Sequence, residues 1–337
     1  MDDLLNAGAL FANFVLVPGI SYGSQLALCA LGLTIIFGIL RFANFAHGDV
    51  MAFGTMATIF ATWLFQDLGL TIRPLPTALI AMPAGIAAAI GICLATDRCV
   101  YRFHRRKRSP AIMFVIASFG VMLVMNGLVR MVIGTKDRSF DDGARFILKV
   151  REFRDATGLQ EGLAIKVSQG LTVAVTCIAG TLLFWFLQHA RTGKAMRAWS
   201  DNEDLALLSG VSPERVVMVA WLISATLATV AGTLYGLDKS FKPYTYFHLL
   251  LPTFAAAIVG GIGHPLGAVI GGYVVAFSEI ALTYAYRKFL IYLGPEGWQP
   301  EGLVQVLATE YKFAVSFIIL IVVLLIRPTG IFRGKVI

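Results

Sequence analysis

Residues 20–66 read ISYGSQLALCALGLTIIFGIL (20–40), RFANFAHGD (41–49) and VMAFGTMATIFATWLFQ (50–66), two long apolar runs held apart by a short polar one. A bilayer core takes roughly 20 predominantly apolar residues as a helix. No water is available there to satisfy exposed backbone groups, so such runs must be helical. The intervening segment sets Arg41, Asn44, His47, Gly48 and Asp49 between two membrane segments. This helix–break–helix pattern decides the fold class.

Outward from this pair, similar runs recur near 76–96, 111–134, 168–189, 214–236, 266–286 and 311–326, and a shorter piece from Leu250 to Gly263 is marginal in length. Residues 4–17 are also apolar, but Pro18-Gly19 is expected to cut them off as a lead-in helix. The expectation is an all-α, polytopic membrane bundle of eight or nine transmembrane helices, one membrane domain over residues 1–337. Composition agrees: 57% of residues are hydrophobic, 14% are charged and the mean hydropathy is +0.75. Soluble domains carry about 25% charged residues, so one or two soluble globules are excluded. Low-complexity tracts and tandem repeats are not visible.

The net charge of +8 is not spread evenly. Residues 97–108 (DRCVYRFHRRKR) hold six Lys and Arg against one acid, and the tail carries Arg327, Arg333 and Lys335. Basic loops stay in the cytoplasm, so this loop and the C-terminus are expected there. The 135–166 loop, with seven basic and six acidic residues, suits the outer, periplasmic side. Counting segments then places 190–213 inside and, with nine spans, the acidic N-terminus outside. Met1-Asp2-Asp3 lacks the positive start of a cleavable signal, so insertion is expected to rely on the first membrane segment.

Four features bear on chemistry. The segment containing Asn44, Phe45, His47 and Gly48 reads either as an unwound stretch at membrane depth, exposing backbone groups to a solute, or as a plain turn in which Asp49 caps the next helix. In residues 191–210, Ser200 followed by Glu203 matches a capping box, and Gly210 is placed to end a helix of about nine residues. Too short to be stable alone, that helix must rest on something through Leu205 and Leu208, either its own bundle or a cytoplasmic partner. Gly263, Gly267 and Gly271 repeat every four residues, as do Ala228, Gly232 and Gly236. Such stripes let membrane helices approach closely. Glu279 is an acid inside a span, a costly placement that marks either a functional group or a residue hydrogen-bonded within the bundle.

Other signals are missing. The four cysteines form no C-x-x-C pair, and the five histidines show no metal-ligand spacing. Neither an ATP-cradling G-x-x-x-x-G-K-[ST] nor a G-x-S-x-G is present. Catalytic residues, a metal site and a cofactor bound by this chain are therefore not expected, and a membrane enzyme is disfavoured.

The Asn44-Phe-Ala-His-Gly48 motif after TIIFGILRF resembles the signature of branched-chain amino acid ABC transporter permeases, the LivH/LivM family. The Gly193-Lys-Ala-Met-Arg-Ala198 stretch, with Asp201, Asn202, Ala206 and Gly210, is similar to that family's cytoplasmic coupling segment. Ala231-Gly232, Gly260-Gly261-Ile-Gly263, Glu279 and Arg327-Pro328-Thr-Gly330-Ile-Phe332 follow in the family's order. The resemblance spans essentially the whole chain and is nearer the LivH type.

It implies an ABC importer permease without its own ATPase site, in the bacterial inner membrane. Asn44, Phe45, His47, Gly48 and Glu279 become pathway candidates. Gly193, Met196, Arg197, Ala198, Asp201, Asn202, Ala206 and Gly210 become the ATPase contact. Gly232, Gly236, Gly263, Gly267 and Gly271 are the packing glycines. The implied partners are a second, LivM-like permease subunit, two ATP-binding cassette subunits that use ATP and magnesium, and a periplasmic solute-binding protein. The cargo is branched-chain amino acids or a similar small polar solute, with urea or short amides as an alternative. A stand-alone ion-coupled transporter or channel using Glu279 and His47 is the rival reading. The cytoplasmic helix argues against it.

Overall fold

The computed structural model describes residues 2–332, apart from 73–74, 142–144, 296–297, 299, 301 and 328. Pro328, Arg333 and Lys335, read above as part of the tail, lie outside the described residues. The first helix differs from expectation. α1 (Asp2–Phe11) passes through a π-helical turn at Ala12–Leu16 directly into α2 (Val17–Leu40), so Pro18-Gly19 separates nothing. Proline removes a backbone donor and its ring needs room in the preceding turn. The widened turn just before it, closed by Val17 N–H donating to Ala12 O, takes up that misfit without ending the helix.

Next come α3 (His47–Asp67), α4 (Ala78–Thr96), a second π turn at Asp97–Tyr101, α5 (Arg102–Arg106) and α6 (Ala111–Ile133). The described residues of the 135–166 loop form regular elements. These are β1 (Phe146–Leu148), α7 (Val150–Thr157) and β2 (Ile165–Lys166), with β1 and β2 antiparallel. α8 (Val167–His189), α9 (Arg191–Asp201) and α10 (Glu203–Leu208) lead to the long α11 (Pro213–Lys239). α12 (Pro243–Gly260), α13 (Pro265–Thr283), α14 (Arg287–Leu293) and α15 (Lys312–Ile326) complete the described chain.

Among the described residues, eight helical segments are long and apolar enough to cross a membrane. α12 makes a ninth traverse. It starts beside the end of α11 and finishes where Val259 O and Gly260 O accept from the N–H groups of Ile331 and Phe332, at the far end. Pro252 and several polar residues make it less apolar, but α2, α3, α13 and α15 surround it, so it needs no lipid-facing surface. α2 is central, packed against α13, α11, α8 and α12. Contact there is backbone to backbone: a Cβ on Gly272 of α13 would lie 2.7 Å from Ala27 N. The outer faces of α6, α8 and α15 expose Met131, Ile178 and Leu325, the surface that a bilayer covers.

Because traverses are odd in number, the first and last helices begin and end at opposite ends of the bundle. One end carries the basic α5 segment, α9, α10 and residues 329–332. The other is capped by the 135–166 segment. There Asn6 Oδ1 accepts from Gln160 and Glu161 N–H (both 3.0 Å), and Asn13 Oδ1 accepts from Ala164 N–H at 2.9 Å. Tyr292 OH donates to Glu161 at 3.0 Å, tying α14 into the same cap.

Candidate functional site

Three places bear on function: the break between α2 and α3, a charged pair inside the bundle, and the short helices at the basic end. At the break, Arg41 ends α2 in the left-handed region (φ 54°), its N–H donating to Phe37 O at 2.8 Å. Asn44 Oδ1 accepts from Ala46 N–H (3.2 Å) and from Tyr101 OH (3.4 Å), while Asn44 O accepts from His47 N–H (3.3 Å). Phe42 packs against Tyr101 and Phe114, each 5.3 Å between centroids. Phe45 stacks on Phe119 at 4.2 Å and lies 5.0 Å from Phe254.

His47 is buried between helices. Its Nε2 is 3.0 Å from Cys29 O and its Nδ1 is 3.4 Å from Ser224 Oγ. That geometry suits the tautomer in which Nε2–H donates to the carbonyl and Nδ1 accepts from the hydroxyl. Cys29 lies eleven residues from the end of α2, and Ser224 eleven from the start of α11. At a rise of about 1.5 Å per residue, His47 therefore sits about 16 Å inside the bundle. The inner end of the break is thus deep in the bundle, while Arg41 at its outer end stays exposed at the basic end. Gly48 is where α12 crosses, since a Cβ there would lie 3.0 Å from Tyr246 O. Asp49 is no cap: the N-cap of α3 is Ala46, with no side-chain cap bond. Asp49 Oδ1 instead accepts from Asn126 Nδ2 on α6 at 2.8 Å, because its place on the first turn of a buried helix faces α6 rather than the free amides.

Glu279 lies elsewhere. Fully buried on α13, it accepts from Ser316 Oγ and pairs with Lys312 Nζ at 3.6 Å, both on α15. Lys312 Nζ also sits 3.9 Å above the Tyr22 ring. Tyr22 is two turns along α2 from Cys29, about 10 Å, so Glu279 and the His47 cluster do not form one site. Tyr22 OH is within hydrogen-bonding reach of Glu279, and on the same helix Ser21 Oγ and both Gln25 amide atoms are buried without a hydrogen-bond partner among the described residues. Sequence reasoning missed Lys312. The only signal was a lone lysine heading a strongly apolar span, opposite a lone acid in another.

The basic end is wired to the break. Asp97, in the π turn, takes a bidentate pair from Arg105 (2.6 and 2.8 Å) and accepts from Trp221 Nε1 at 2.8 Å. Trp221 stacks on Tyr101 at 5.3 Å, and Tyr101 reaches Asn44. Neither Asp97 nor Trp221 carried a motif signal; their pairing depends on α4 and α11 crossing there.

In the 191–210 segment, Ser200 lies inside α9, and Asn202 caps α10 by accepting from Leu205 N–H at 3.1 Å. The capping box expected at Ser200/Glu203 is thus replaced by an Asn cap two residues later, and α10 is six residues long. Gly193 packs on the α8 backbone at Phe186, leaving no space for a Cβ, and Met196 and Ala206 are buried. Trp199 Nε1 donates to Ile39 O at 3.3 Å, next to the break. Arg197, Ala198, Asp201 and Asn202 are exposed, and Gly210 ends α10 at φ 80°. Leu205 and Leu208 are 61% and 85% exposed, so the bundle does not cover them.

Among the packing glycines, Gly232 approaches Met51 and Thr55 of α3, and Gly236 lies 2.9 Å from Tyr246 OH by its would-be Cβ. Gly267 meets Gly260, and Gly271 meets Ala256 O, along the α12–α13 contact. Gly263 is not part of that stripe. It occupies the turn between these helices at φ 82°, because Pro265 must start a new helix.

A helical membrane bundle with a re-entrant break, polar groups kept in its interior and a short helix with exposed leucines at one end has the form of a transport permease. The chain belongs to the family described as branched-chain amino acid transport system / permease component, which matches residues 15–324. It is similar to the high-affinity branched-chain amino acid transport system permease protein LivH of Salmonella typhimurium, with 31% identity covering 93% of this chain and 92% of that one. BraD of Pseudomonas aeruginosa, described in the same words, is 29% identical over 94% of each chain. LivM of Escherichia coli matches at 27% over 36% of this chain and 30% of its own, so the chain is of the LivH type.

Proposed function

We propose that this chain is the LivH-type membrane subunit of an ATP-driven importer of branched-chain amino acids or a similar small polar solute. A solute-binding protein delivers the cargo to the end capped by residues 135–166. A LivM-like subunit completes the path, and two ATPase subunits bind ATP and magnesium. The membrane is the bacterial inner membrane with the basic end cytoplasmic, following the positive-inside rule. The chain itself performs no hydrolysis.

The observation that carries this reading is α10. A six-residue helix is unstable by itself, yet Leu205 and Leu208 project away from the bundle. A partner cleft that buries them would drive α9, which is anchored through Gly193, Met196 and Trp199 to α8 and the end of α2. Closure of the ATPase pair would move these helices as a rigid body. The motion would reach the break through the Trp199–Ile39 and Tyr101–Asn44 contacts. Along the path, the unpartnered groups of Ser21 and Gln25, with Tyr22, Glu279 and Lys312, supply polar partners for a solute. Asn44, Phe45, His47 and Gly48 would shape its exit.

Leu205→Asp/Leu208→Asp tests this. We expect uptake in vesicles with all subunits to fall at least tenfold and ATPase capture to be lost. Surface changes away from packing shift stability by only about 0.5 kcal/mol, so melting should barely move. Undiminished uptake, or uptake by the isolated chain on an ion gradient, would refute the reading and favour a stand-alone transporter.

A further inference from the structure

At the basic end, a cavity of about 520 Å³ opens between the α5 segment, the end of α2 and α10. Five arginines line it: Arg41, Arg102, Arg105, Arg106 and Arg108. The only opposing lining charges among the described residues are Glu203 and Glu214. Glu214 is engaged by Arg102 at 2.5 Å, and Arg105 by Asp97. Among the described residues, Arg41, Arg106 and Arg108 have no ion pair, and Arg102 Nε is buried without a hydrogen-bond partner.

Two of these arginines, Arg41 (φ 54°) and Arg108 (φ 49°), hold left-handed backbone. A non-glycine residue adopts that conformation only at a cost, and here it brings both guanidinium-bearing residues to the rim of one cavity. Unpaired like charges that line one cavity repel each other, and an anion between them relieves that repulsion. Guanidinium groups match the oxygens of a phosphate in bidentate fashion.

Position selects the source. Ala111 and Phe114 of α6 form part of the wall, and on the same turns Ile112 and Ile116 are each 59% exposed on the lipid-facing side. An anion here would lie beside the exposed apolar face of α6, where a bilayer would place hydrocarbon next to the headgroups. Basic pockets between membrane helices suit anionic headgroups in this way. We propose that this cavity binds the phosphate of an anionic phospholipid, its acyl chains lying along α6.

The test is retention of phosphatidylglycerol by the purified chain, read by native mass spectrometry, against phosphatidylcholine and inorganic phosphate. Arg41→Gln/Arg106→Gln/Arg108→Gln should lower phosphatidylglycerol retention at least fivefold. Lys149→Gln/Arg151→Gln/Arg154→Gln, which removes the same charge from α7 at the other end, should leave it unchanged. Equal retention of phosphatidylcholine, or equal loss in the α7 variant, would overturn the proposal. Displacement of the lipid by millimolar phosphate would assign the cavity to free phosphate and overturn the lipid source. Lost ATPase capture with unchanged lipid retention would assign the arginines to the protein partner instead. Unchanged size-exclusion behaviour of the triple variant separates loss of the site from loss of fold.

Discussion

Glu279 and Lys312 show how one residue's meaning depends on another far away in sequence. Each alone is an expensive charge in a hydrocarbon setting. Together, with Ser316 and the Tyr22 ring, they form a buried ion pair. Removing one partner of such a pair leaves an uncompensated charge and costs about 3–5 kcal/mol, whereas replacing both is often near neutral. Lys312→Met should therefore destabilise the purified protein by about that much. Lys312→Met/Glu279→Gln should recover most of it in denaturant unfolding. Equal losses in single and double variants would show that the two charges are not coupled.

The four-residue glycine spacing of Gly267 and Gly271 was legible in the sequence, but not the surface that it meets. That surface is the backbone of α12, at Gly260 and Ala256 O. Backbone cannot rotate away as a side chain can, and overpacking typically costs about 1–3 kcal/mol. Gly271→Val should thus lower the unfolding free energy by at least about 2 kcal/mol. Gly91→Val, with open space around it, should have little effect; equal effects would contradict the close α12–α13 contact. For α10 the reverse holds. Its apolar residues and its end at Gly210 were visible, but Asn202 rather than Ser200 caps it, because α9 runs on past Ser200 against the end of α2.

Across the molecule, nine traverses place α7 and the π turn at Asp97–Tyr101 at opposite ends. Cys99 is exposed at the basic end, while Cys29 and Cys93 are buried. An impermeant maleimide should label Cys99 in inside-out vesicles and not in spheroplasts. A cysteine at Asp155, on exposed α7, should show the opposite pattern. Labelling of both from one side would rule out this topology. How far the break at 41–49 reaches into the bundle is also a whole-molecule property, set by His47 meeting Cys29 and Ser224 on two other helices.

The sequence by itself determined that this chain is a helical membrane bundle, where eight of its crossing segments lie, and which end is basic, but not that α12 crosses as a ninth. Those features follow from run length, apolarity and charge, which are local sums along the chain. Pro18 shows where a local rule misleads, since a π turn absorbed what one residue's chemistry said must be a break. Tertiary structure alone decided that Asp49 meets Asn126, that Glu279 meets Lys312, and that five arginines share a cavity in which three have no ion pair among the described residues. Each of those depends on which helix faces reach the same point in space, and no periodicity within a single helix carries that information.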